Sequence, residues 1–185
     1  MSMQADISDS TNDLISAASE ILAQGVALLE SITDEQFTTP VAPAFNSSLG
    51  AHYRHSLDHF TSFVAGADEG MIDYDRRARD VVLENDRFAA LNKTRELRER
   101  IEGLSVDTLA SSTVACSKVC YSDGVAQSVE STMGRELMYV IMHAMHHYAL
   151  IRVMGNLLDV EVPAHFGFAP STIDHERKQA EKATA

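Results

Sequence analysis

The stretch Tyr139-Val140-Ile141-Met142-His143-Ala144-Met145-His146-His147 decides how this chain is read. Val140, Leu150, Ile151, Met154 and Leu158 recur around it at helical spacing, which marks one long amphipathic helix reaching about Leu158. His143 and His147 lie about 40° apart on that helix, in the middle of its apolar face. Imidazoles on a core face need hydrogen-bonding or ligating partners. A divalent ion is one partner that serves both rings. His146 falls about 60° to the other side, toward the polar edge.

A second cluster, Gly50-Ala51-His52-Tyr53-Arg54-His55-Ser56-Leu57-Asp58-His59, reads as helix too, and the two segments hold six of the eight histidines. Leu49, Tyr53, Leu57, Phe60 and Val64 make its apolar stripe, while His52, His55 and His59 form a stripe about 110° round the helix. Two such helices side by side would build a metal site between facing side chains. Asp58 is spaced to orient a histidine or to ligate directly. Tyr139, one turn before His143, is spaced to donate to a bound oxyanion. The alternative reading of the same residues is a polar histidine layer that needs no metal.

Working outward, Leu14, Ala18, Ile21, Leu22, Val26, Leu28, Leu29 and Ile32 give a first helix from about Ser8 to Ile32. Thr33-Asp34-Glu35-Gln36 has the capping-box pattern and opens a short turn. Asn46-Ser47-Ser48 caps the second helix, which runs to about Ala67. The charged run Asp73 to Asp80 is read as a connection. A third helix follows from about Asn85 to Leu104. Thr113 to Tyr121 and Val125 to Ser131, joined by Ser122-Asp123-Gly124, read as a β-hairpin. Ser131 or Thr132 caps the last long helix. The expected fold is therefore all-α, an up-down four-helix bundle with a small β-hairpin insertion before the last long helix. Residues 1–170 form one domain and 171–185 a charged, flexible tail.

At 185 residues the chain suits one domain with a substantial core. The net charge of −12 opposes a nucleic-acid backbone as partner. No apolar run approaches ~18 residues, so no membrane span is expected. The polar start Met1-Ser2-Met3-Gln4 lacks a secretory pattern. Cys116 and Cys120 are read as reduced thiols, and the protein as cytoplasmic.

The run Ser48-Leu49-Gly50-Ala51-His52-Tyr53-Arg54-His55 and the run His143-Ala144-Met145-His146-His147-Tyr148-Ala149-Leu150 resemble the DinB-like (YfiT-like) superfamily of metal-binding four-helix bundles. The resemblance covers the chain from the first helix to about Pro170. It implies a divalent ion, zinc or nickel with iron as a further candidate, held by His143, His147 and one histidine of the second helix. His55 is the first choice for that third ligand, His59 the second and His52 the third. The resemblance also implies an open coordination position and a metal-dependent transferase or hydrolase. Such an enzyme would use a low-molecular-weight thiol and an electrophilic small molecule, and would form a homodimer. A non-catalytic metal-binding or stress-associated bundle and a structural dimerisation module are the alternatives. Arg54, Arg76, Arg77 and Arg79 are read either as anion ligands or as partners of Asp73, Asp75 and Asp80.

Overall fold

A computed structural model of the protein describes residues 2–122 and 124–183, with side chains from residue 12 onward. Asp123 of the expected Ser122-Asp123-Gly124 turn lies outside the described residues. In chain order the elements are α1 (Ser2–Ser31), α2 (Asp34–Thr38), α3 (Leu49–Glu69), β1 (Met71–Asp73), α4 (Val81–Asn85), α5 (Arg87–Glu102), α6 (Val106–Ala110), β2 (Ser112–Ser117), β3 (Gln127–Thr132), α7 (Met133–Leu157) and α8 (Pro170–Ala183).

Local chemistry sets the boundaries. Thr33 and Gln36 form the reciprocal capping box that opens α2. The Ser48 hydroxyl accepts from Ala51 N–H and starts α3, and Gly70 closes it in the left-handed conformation at φ 75°. Asp86 ends α4 and at the same time caps α5, accepting from Phe88 N–H and Ala89 N–H. The single helix expected from Asn85 to Leu104 therefore starts two residues later, at a carboxylate cap. Residues 171–183 of the expected flexible tail belong to α8, Pro170–Ala183, which has no buried residue.

Two features correct the all-α, up-down expectation. First, the predicted hairpin belongs to a three-stranded mixed sheet of order β1-β2-β3. β2 pairs antiparallel with β3, while β1 joins it in parallel through Met71↔Val114, Ile72↔Ala115 and Asp73↔Cys116. A three-residue strand with a partner some forty positions away leaves no local periodicity to read.

Second, the long helices do not pack in chain order. α1 packs on α5 and α7, and so does α3, so the first two long helices sit diagonally. Ser19 bonds Glu102 while Arg95 pairs with Glu30, which makes α1 and α5 antiparallel. Tyr53 bonds Thr94 while Arg100 pairs with Asp68, which makes α3 and α5 parallel. Parallel neighbours need a crossover, and β1 with α4 lies in it. The sheet thereby ties the end of α3 to the start of α7: Thr113 donates to Gly70 O, and Met133 N–H donates to Ser111 O.

Leu22, Leu29, Tyr53, Phe60, Phe63, Leu137, Tyr148 and Ile151 fill the core with almost no solvent exposure. Asn12–Ser31 has the length and mean hydropathy, 1.2, to cross a membrane. Its apolar residues Ala18, Ile21, Leu22, Leu28 and Leu29 pack into the hydrophobic core. α1 approaches α3 and α7 at Gly25, where an added Cβ would fall on the hydroxyls of Tyr53 and Tyr148. Both rings are fully buried, and Tyr53 is tied through Thr94 to Ala90 O. Gly25→Ala gains about 1 kcal/mol of helix propensity. The clash outweighs it, and we expect a net loss of about 2 kcal/mol, read as a lower urea midpoint. An unchanged midpoint would show that the tyrosine pair yields.

Candidate metal centre

α3 and α7 run antiparallel and face each other with their histidines. His52 meets His147, His55 lies against His143 and His147, and His59 lies against His143. Helical spacing places His55 above His59 and His143 above His147. The register between the helices then decides which rings meet across the gap. His59 and His143 are the closest pair, with ring centres 3.8 Å apart.

Ligand-capable nitrogens of His55, His59 and His143 all lie within 4.8 Å of one another. His147 stays beside His55 and His143, with ring centres at 4.5 and 4.7 Å, but its Nδ1 contacts His52 Nδ1 at 3.1 Å. The structure thus groups His59, expected as the second choice, with His55 and His143. His147 is drawn toward His52.

The hydrogen bonds fix the tautomers. His59 Nδ1–H donates to the His55 carbonyl at 3.0 Å, which leaves the His59 Nε2 lone pair free. Arg77 Nη1 donates to His55 Nδ1 at 2.8 Å. A guanidinium only donates, so the neutral His55 ring carries its proton on Nε2 and gives it to His143 Nε2, 3.1 Å away.

Burial, reinforced by the neighbouring histidines, holds His55 down to about 2, His143 to about 3 and His147 to about 4. His52 and His59 are lowered as well, again by burial first. Neutral imidazoles are the ligating form, so the donor set suits a divalent ion of the zinc or nickel kind.

The surroundings come from several elements. Tyr74, just after β1, stacks on His59 with ring centres 5.4 Å apart, and Tyr139 of α7 packs on Tyr74 at 5.0 Å. Tyr139 also stands 5.8 Å from His143. Glu136, only 6% exposed in the first turn of α7, accepts from the Tyr74 hydroxyl at 2.8 Å and the Ser131 hydroxyl at 2.6 Å. Asp58 does not orient a histidine by any hydrogen bond among the described residues; its carboxylate accepts from Arg54 at 2.8 Å. Arg54 in turn pairs with Glu84.

Sequence reasoning missed Tyr74 and Glu136. Glu136 left a signal, since it lies one turn before Val140 on the stripe that carries His143 and His147. Tyr74 left only one aromatic in a charged run.

No protein-family model matches the chain. It is similar to FK506-binding protein 5 of Rhizopus delemar, 39% identical over 109 residues, which cover 59% of this chain and 28% of that protein. The chain thus spans under a third of the length of the curated relative it matches. This finding corrects the DinB-like resemblance, because the relative carries a different family name and no family model supports the expected one. The thiol-transferase and hydrolase activities rested on that resemblance and fall with it, as does the assignment of the chain to a DinB-like stress-associated bundle.

Proposed function

We propose that this chain is a ligand-binding domain that holds one divalent cation, zinc or nickel, at His55, His59 and His143. The observation that carries the reading is the convergence of three imidazoles, with ligand-capable nitrogens within 4.8 Å of one another. Three protein ligands leave a position on the ion for water or a small ligand. His147 and His52 flank the centre, and Tyr139 and Tyr74 wall it. The free thiols of Cys116 and Cys120 favour a reducing, cytoplasmic setting.

Calorimetric titration of the tag-free chain with zinc or nickel tests the reading. Wild type should take up one equivalent. His143→Ala should weaken binding on the order of a hundredfold or more, since even residues that only orient a ligand cost ~10–100-fold. Absence of saturable binding by wild type would end the proposal.

The relative's name supports a second reading, FK506 binding by this chain. A groove of about 430 Å³, lined by Arg135, Met138, Tyr139, Met142 and His143, favours it. That volume lies in the range of small-molecule sites, and Met142 is 63% exposed there. Titration of FK506 with and without zinc decides the point. Saturable binding weakened by Met142→Glu supports this reading, and no binding ends it.

A further inference from the structure

We propose that Arg77 is a built-in occupant of the histidine centre, which a divalent cation must expel in order to bind. This inference rests on the cation reading above and concerns how the site is controlled.

Arg77 lies in the crossover between β1 and α4. Asp73 Oδ1 accepts from the backbone N–H groups of Asp75 and Arg76, and Asp75 accepts from Lys118 N–H, so the segment leading into Arg77 is tethered. Its guanidinium reaches inward to His55 instead of out to water. Among the described residues it forms no ion pair within 4 Å, although the chain carries a net charge of −12. Its Nε is buried without a hydrogen-bond partner. A guanidinium with a buried, unpartnered Nε and its one bond to a neutral imidazole is poorly satisfied. It is therefore a group that can be displaced at small cost.

Proton positions make the displacement obligatory. In this arrangement one proton lies between His55 Nε2 and His143 Nε2, and Arg77 fills the His55 Nδ1 lone pair. A cation that takes both Nε2 lone pairs removes that shared proton. Neutral His55 then carries its proton on Nδ1, where Arg77 already points a donor. Two donors cannot share that contact, so the guanidinium leaves. Asp58 and Asp75 act electrostatically on Arg77 and offer acidic neighbours for the withdrawn side chain.

The competition costs every cation the same amount, because the bond lost is Arg77 to His55 whichever ion enters. Arg77→Met keeps the aliphatic stem and removes the donor. It should raise affinity for zinc and for nickel by the same factor, on the order of tenfold. Long-range ¹H–¹⁵N spectra of the histidine rings give the second readout. Metal-free wild type should show His55 protonated on Nε2, and the zinc-loaded form should show it protonated on Nδ1. Arg77→Gln serves for the same comparison if the methionine variant does not fold, with a smaller gain expected because one neutral donor remains.

Wild-type binding with no gain in the variant overturns the expulsion and leaves the cation reading standing. A gain with the His55 tautomer unchanged on loading also overturns it, since simple charge repulsion would explain the affinity. No binding by either protein overturns both.

Discussion

His59→Ala should weaken cation binding as strongly as His143→Ala, about a hundredfold or more, whereas His147→Ala should weaken it by about tenfold, the low end for a supporting residue. The helix repeat alone argues the reverse. His143 and His147 are four apart on one face, so a reading along the chain joins them. Across the helices the geometry differs: His143 sits on His59 with ring centres 3.8 Å apart, one turn below the level at which His147 meets His52. His59 is also the best prepared ligand. It is 4% exposed, its Nδ1–H is fixed on the His55 carbonyl, and Tyr74 stacks on its ring. Parallel zinc titrations of the three variants, with circular dichroism to show that each is folded, read the order of effects. A larger loss from His147→Ala than from His59→Ala would assign the ion to His55, His143 and His147 instead.

That contrast shows where sequence reading stops. Ser48 and Thr132 are short-range signals, and each stands where a cap belongs in the structure. The histidine faces are also short-range, because helix geometry fixes which residues share a stripe. Register between α3 and α7 is not written locally. It follows from core packing, such as Tyr53 stacked on Tyr148, and from a sheet that joins the end of α3 to the start of α7. The same limit explains β1 and the helix order. A strand as short as Met71–Asp73 gains its identity from β2, and parallel α3 and α5 follow from the crossover between them. Arg77 combines both limits: the sequence shows an arginine in a charged run, and only the fold carries it onto His55. The family resemblance had a different weakness. It leaned on short histidine runs, while the match to the Rhizopus protein extends over 109 residues.

Metal-free protein should lose about 2–3 kcal/mol of stability between pH 7 and pH 5. In the unfolded chain each histidine takes up a proton near the ordinary value of ~6.5. In the fold, burial keeps His147 neutral to about 4, His143 to about 3 and His55 to about 2. Between those values and the ordinary one the unfolded state binds more protons. Stability is therefore complete above the unfolded value and declines as pH falls toward the folded values. A histidine held charged by a carboxylate would give the opposite slope. Three fully protected rings would cost ~6 kcal/mol at pH 5, and solvent reaching these half-buried rings reduces the expected loss to about half or less. Urea midpoints at pH 7.5, 6.5, 5.5 and 5.0, taken without metal, measure it. His147→Gln should flatten the profile by removing one of the titrating groups. A flat wild-type profile would mean that the cluster accepts protons in the folded state. His55 and His143 would then not be held in the ligating form, and a cation would have to compete with protons at both of them.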